Sequence, residues 1–245
     1  MKNIKLVIEY DGTSYHGWQS QINSLTIQDT IEGAIKKLTG EDAALTGSSR
    51  TDVGVHALGQ VANFKTGSSI PPVKFSDALN SILPRDIVIK ASCEVDAEFH
   101  SRFSSTGKKY RYLIYNSTCR SALLRNRAYH VPHNLDFKAM KKAAGYFLGT
   151  HDFAAFRRAA GSNTKTTVRT IHDLSLTRDD EIIRFEISGN GFLYNMVRII
   201  VGTLVYVGTG RIDTEEIPSI IDCLDRKKAG KTAPGHGLYL VEVFY

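Results

Sequence analysis

Cysteine is scarce in this chain, and the three present, Cys93, Cys119 and Cys223, are odd in number and far apart. They form neither a CxxC pair nor a Cys/His ligand spacing, which excludes a disulfide framework and points away from a structural metal. The setting expected from them is a reducing cytoplasm. Long apolar runs are missing as well: none approaches the roughly 18 residues that a membrane span needs. The opening stretch Met1 to Ile8 lacks the apolar core of a signal peptide, so no membrane association is expected. Acidic residues fall short of basic ones, 25 against 31, giving a formal charge of +6. That modest excess favours a polyanionic partner. What is plentiful is core material: 42% hydrophobic residues over 245 positions exclude a disordered tail and suffice for one large domain or two small ones.

Hydrophobic periodicity predicts mixed elements. Ile4 to Tyr10 reads as a strand, and Thr26 with Asp29 opens a helix whose apolar face carries Ile27, Ile31, Ala34, Ile35 and Leu38. Strands are expected over Ala43 to Ser48, Gln60 to Lys65 and Ile87 to Cys93, and a helix over Lys74 to Leu83 that Pro84 stops. The pattern then restarts with a strand from Lys108 to Asn116 and a helix from Phe137 to Leu148. Strands over Val168 to Thr177 and Ile182 to Ser188 follow, then helices over Asn195 to Val207 and Glu215 to Leu224, and a last strand from Tyr239 to Phe244. The two halves echo each other, with no low-complexity linker between them. Basic residues gather at Lys108, Lys109 and Arg111, at Arg120, Arg125 and Arg127, at Arg157 and Arg158, and at Lys227, Lys228 and Lys231. Runs of this kind are usually solvated faces.

The segment from Gly47 to His56 stands apart. It offers one carboxylate, Asp52, two residues after Arg50, in a loop punctuated by Gly47, Gly54 and Gly59. Asp in a Gly-rich turn commonly caps its own backbone, while loops at sheet edges are common sites for chemistry. The local string leaves both readings open.

Longer motifs decide between them: Tyr10-Asp-Gly-Thr-Ser-Tyr-His-Gly-Trp-Gln19, Arg50-Thr-Asp-Val-Gly-Val-His-Ala57 with Gly59-Gln60-Val61, Lys109-Tyr-Arg-Tyr112, and Gly149-Thr-His-Asp-Phe153. They continue with Asn190-Gly-Phe-Leu-Tyr-Asn-Met-Val-Arg-Ile-Ile-Val-Gly202 and Ala233-Pro-Gly-His-Gly-Leu-Tyr-Leu240. In these motifs and their order the chain resembles the tRNA pseudouridine synthase A family almost end to end. The resemblance implies an α+β fold of the pseudouridine synthase type. Two ferredoxin-like lobes, residues 1–104 and 105–245, would share a mostly antiparallel sheet with a central cleft. It also implies isomerisation of uridine to pseudouridine at positions 38, 39 and 40 of the tRNA anticodon stem-loop, by a cytoplasmic homodimer that grips tRNA from both sides.

Such a reaction breaks the C1′–N1 bond, turns the bound base over and rejoins it through C5. It needs an ionised carboxylate, a pocket for the detached base and help in extracting that base, but neither cofactor nor metal. On the matching positions, the resemblance implies Asp52 as nucleophile, Arg198 as its ion-pair partner, Arg50 in base extrusion and Tyr110 as the aromatic that stacks on the base. A carboxylate pressed against a base loses hydration, so a guanidinium is needed to keep it charged. Val197, Ile199, Ile200 and Val201 leave Arg198 little solvated face. Strand alternation puts Tyr110 and Tyr112 on one face, with Lys109 and Arg111 on the other. Two same-face tyrosines alone would read as sheet core.

His56 reads as a structural hydrogen-bonding residue, and Asp11 either caps its turn or serves the site. Arg157, Arg158 and Lys165 suit an RNA-clamping loop. The chain departs from the family at Ser49, where glycine is usual, and at Val53, where Ala or Ser is usual. A side chain in place of that glycine bears on substrate range more than on the reaction. The alternatives are a paralogous synthase acting on other RNA uridines, a non-catalytic RNA-binding protein, and a phosphate-handling enzyme. The last is disfavoured because the loop carries no GxxxxGK[ST] motif.

Overall fold

Alternation of apolar residues in the first strand, β1 (Lys2–Tyr10), turns Ile4, Leu6, Ile8 and Tyr10 to one face, and all four are buried. The computed structural model describes residues 1–158 and 166–245; Lys165 lies outside them. The chain forms two compact units, residues 1–106 with 239–245, and residues 107–238. Both combine helices with sheet, so the fold is α+β.

In the first unit, helix α1 (Ile27–Thr39) begins where the Thr26 hydroxyl accepts the Asp29 amide, and ends at Gly40 in the left-handed region. Its buried face is Ile27, Ile31, Ala34 and Ile35, with Leu38 half-buried. The strand expected over Ala43 to Ser48 shrinks to β2 (Thr46–Gly47). Side chains of α1 take over the backbone that a ladder would have used: Glu32 accepts the Leu45 amide, and Gln28 donates to the Leu45 carbonyl. Strand β3 (His56–Thr66) is longer than its apolar run. Helix α2 is only Phe75–Asn80, preceded by a 3-10 turn, and it docks on β4 (Ile87–Val95) through a two-way bond between the Asn80 amide and the Ile89 backbone. Strand β1 lies between β3 and β4, antiparallel to both.

The second unit opens with β5 (Gly107–Asn116) and β6 (Tyr129–Val131), which pairs with it in parallel. Helix α3 (Phe137–Gly145), capped by Asp136, stops three residues before its expected end, and β7 (Gly149–Asp152) follows. Strands β8 (Val168–Asp179) and β9 (Ile182–Gly189) turn through Asp180 at φ 50°, and the antiparallel order is β5-β9-β8-β7. Helix α4 (Met196–Gly208) is buried all round except at Arg198 and Tyr206. Helix α5 (Ile217–Asp222) is shorter than its expected span. Strand β10 (Leu238–Phe244) then leaves the half to which sequence order assigns it. Tyr239 pairs with His56 and Leu240 with Ala57, in parallel with β3 of the first unit. Among the described residues no helix is long and apolar enough to cross a membrane.

The packing around α4 depends on one close approach. A Cβ on Gly202 would sit 1.7 Å from the Lys231 carbonyl oxygen, and Gly230 donates its amide to Thr203 Oγ1 from the same segment. Gly202→Ala is therefore expected to lower the melting temperature by an amount equivalent to ~1–3 kcal/mol or more, the usual cost of forcing extra volume into a packed contact. A thermal melt indistinguishable from wild type would contradict this packing.

Candidate active site

The loop that carries Asp52 runs from the end of β2 to the start of β3, and its backbone is anchored on both sides of the carboxylate. Before it, the Thr51 carbonyl accepts the Trp18 amide at 3.1 Å, and the Thr51 hydroxyl is 2.8 Å from the Tyr10 hydroxyl. After it, the Val55 amide donates to the Asp52 carbonyl at 3.2 Å, closing a turn that Gly54 completes at φ 73°. Glycines permit the close approach. A Cβ on Gly17 would lie 2.3 Å from the Thr51 carbonyl oxygen, and one on Gly12 would lie 2.0 Å from that of Val55. Gly47 faces the Trp18 indole in the same way, at 2.4 Å.

Gln60, on β3 and fully buried, holds the start of the loop. Its Oε1 accepts the Ser48 hydroxyl and its Nε2 donates to the Ser49 carbonyl, both at 2.7 Å. Ser49 is buried, and its φ lies outside the left-handed region, so a serine fits this backbone without strain where a glycine was the expectation. Asp52 is half-buried, while Arg50 and Val53 are exposed. His56 is 2% exposed. Its Nδ1 accepts the Gly12 amide at 3.1 Å and lies 3.0 Å from Asp11 Oδ1, and its ring stacks on Tyr239 with centroids 4.7 Å apart. These contacts make it a hydrogen-bonding residue of the loop. Asp11 also caps its turn, accepting both the amide and the hydroxyl of Thr13.

In the second unit, alternation along β5 buries Tyr110 and Tyr112. Phe192 meets the Tyr110 ring edge-on with centroids 5.1 Å apart, and the Tyr112 hydroxyl donates to the Pro234 carbonyl. Burial pushes the Tyr112 phenol well above its ordinary range. On the opposite face, Lys109 and Arg111 both bind Glu186, at 3.1 and 2.7 Å. Burial works to raise the Glu186 carboxyl, but the hydrogen bonds from Arg111 and Lys109 outweigh it and hold the group below the usual carboxylate range. Lys109 and Arg111 are therefore matched to an acid.

Arg198 occupies the first turn of α4, half-buried. Its Nε donates to the Ala233 carbonyl and its Nη1 to Asn195 Oδ1, both at 2.8 Å. Asn195 adopts φ 62° and spends its side chain on the guanidinium instead of capping the helix. Gln60, Trp18, Asn195 and Ala233 were not read as site residues. The signal for Asn195 was present in its spacing of three from Arg198, at the start of a helix.

The family described as tRNA pseudouridine synthase matches residues 6–104 and 143–245. A tRNA pseudouridine synthase A of Acetivibrio thermocellus is 66% identical over 245 residues, covering 100% of both chains, and one of Ruminiclostridium cellulolyticum is 60% identical over 246 residues with the same coverage. Among solved structures, an archaeal box H/ACA sRNP Nop10–Cbf5 complex aligns with 98% of this chain and 46% of its own, at 10% identity and a TM-score of 0.38.

The Gln60 anchor can be tested by itself. Gln60→Ala strips a hydrogen-bond partner from both the Ser48 hydroxyl and the Ser49 carbonyl, and is expected to destabilise by ~1–3 kcal/mol. Amide hydrogen exchange should speed up across residues 48–55 before it does in β1. Unaltered exchange in that loop would show that Gln60 does not hold it.

Proposed function

The chain belongs to the tRNA pseudouridine synthase family and isomerises uridine to pseudouridine in tRNA; on that premise we propose that its targets are positions 38, 39 and 40 of the anticodon stem-loop and that Asp52 is the nucleophile. The observation that carries the nucleophile assignment is the anchored loop. Thr51 and Val55 fix the backbone on either side of Asp52, so the carboxylate is presented with little freedom beyond its own rotamers. During the reaction the C1′–N1 bond breaks, the base turns, and a C1′–C5 bond forms. C5 gives up its proton and N1 ends protonated, so the isomerisation balances with no oxidant, reductant or co-reactant.

Arg198 supplies the guanidinium that keeps the nucleophile ionised, a role that its orientation by Asn195 and Ala233 supports. Arg50, exposed on the loop, takes the place of the extruded base or grips the neighbouring phosphate. Tyr110 stacks on the base, and the edge contact from Phe192 sets the plane of its ring. The family resemblance supports a cytoplasmic homodimer. Acting at three neighbouring positions requires recognition of the tRNA's shape and phosphate path rather than of one sequence, so whole tRNA should be a better substrate than an isolated stem-loop.

Asp52→Asn is expected to abolish pseudouridine formation while leaving tRNA affinity largely intact, because the carboxylate acts on the transition state and not on phosphates. Product mapping in tRNA from cells with and without the gene checks the positions. Turnover by Asp52→Asn above a few per cent of wild type removes the nucleophile assignment, and modification confined to other RNA uridines moves the target without touching the chemistry. Tyr110→Phe should keep most of the binding that stacking provides, whereas Tyr110→Leu should lose ~1–3 kcal/mol of it. Equal losses from the two variants would instead implicate the hydroxyl.

A further inference from the structure

Most cations that the structure places near an acid are used up by it. Lys36 pairs with Asp42, Lys74 with Asp77, Lys90 with Glu9, Lys109 and Arg111 with Glu186, and Lys142 with Glu215. Lys231 and Arg211, in the second unit, are different. The Lys231 ammonium lies 5.6 Å from the centroid of Tyr129, and the Arg211 guanidinium lies 5.2 Å from that of Tyr206. Among the described residues neither forms an ion pair with a carboxylate. Both are exposed at the mouth of a recess of about 240 Å³ whose wall includes Tyr129, His130, His133 and Tyr206, and no acidic residue. A second recess of about 270 Å³ adjoins it, sharing His133, Thr209 and Arg211 and again without an acid. The two adjoin as one trough that carries Lys231 and Arg211 and no carboxylate.

We infer that this trough is a phosphate-binding track for an RNA strand, a contact that holds the substrate's backbone without reading its bases. Its two cations, with no carboxylate among the lining residues, match the charge of a phosphate backbone. The Lys231 ammonium is hydrogen-bonded to Tyr129 and the Arg211 guanidinium lies beside the Tyr206 ring, so the tyrosines orient the donors. Phosphate contacts of this kind set register and affinity and carry no sequence information. The track is built into the fold: the segment that carries Lys231 is tied to α4 by the Gly230 amide on Thr203 and by the Ala233 amide on the Arg198 carbonyl. The inference rests on the proposed reading of tRNA as substrate, and it adds a binding element remote in sequence from the Asp52 loop.

The test is equilibrium binding of whole tRNA over a range of salt concentrations, with wild type, Arg211→Gln, Lys231→Gln and the double variant. Lys37→Gln, an exposed lysine of α1, controls for net charge. Each phosphate contact contributes about 0.9 to the slope of log affinity against log salt, so each single variant should lower the slope by about 1 and the double variant by about 2. Affinity at ~100 mM salt should fall roughly tenfold in the double variant. Lys231→Arg should keep the wild-type slope, and Lys37→Gln should lie close to it. Scoring the single variants separately keeps the test intact if one of them folds poorly. A wild-type slope in the double variant, or an equal loss from Lys37→Gln, overturns the track. Should wild-type protein form no pseudouridine in tRNA while the slope still falls as expected, the reading of the reaction fails and the track stands.

Discussion

One peptide carries the geometry of the first unit: the bond after Thr51. Its carbonyl is held by the Trp18 amide, in a gap that only a glycine at position 17 leaves open, and the Thr51 hydroxyl meets Tyr10 at the end of β1. Because Tyr10 lies in the sheet core, the loop inherits the position of β1 and not the freedom of a surface turn. The Asp11, Gly12 and His56 contacts repeat the arrangement on the far side of Asp52. The backbone that carries this carboxylate is positioned by folding, before any substrate arrives, because rigid elements on both sides hold it.

The sequence showed the regular elements best where local chemistry and burial agree. Thr26 and Asp29 mark the start of α1, the Lys109-Tyr-Arg-Tyr112 alternation places β5, and the largely apolar run from Met196 to Gly208 places α4. It showed least where a partner distant in sequence decides. The expected strand before Ser48 shrank because Glu32 and Gln28 of α1 claim the Leu45 backbone, which no local pattern reports. Strands β6 and β7 are too short for periodicity to register, and nothing in β10 itself says that it pairs with β3. The loop around Asp52 was legible as a candidate site from its glycines and motif. Its supports were not: Gln60 reads as one more strand residue, and Asn195 as an ordinary helix start.

Charge patterns proved the least informative part of the sequence. Lys109 and Arg111 look like a basic patch in the string, but they straddle Glu186, and alternation with the tyrosines places them on the face opposite Tyr110. Lys231 looks the same in sequence and differs in space, because its neighbour across the trough is a tyrosine ring. The distinction is set by what stands opposite each ammonium or guanidinium, a property of the tertiary fold.

The packing of Trp18 has an optical consequence. The chain has one tryptophan, it is buried, its indole lies against Gly47, and its ring centroid is 6.1 Å from that of Tyr10. Tryptophan emission therefore comes from a single place, the base of the Asp52 loop. Its wavelength and quenching follow the hydration of that loop and say little about the second unit, so the protein carries its own fluorescent label at the point where the Asp52 loop joins the sheet.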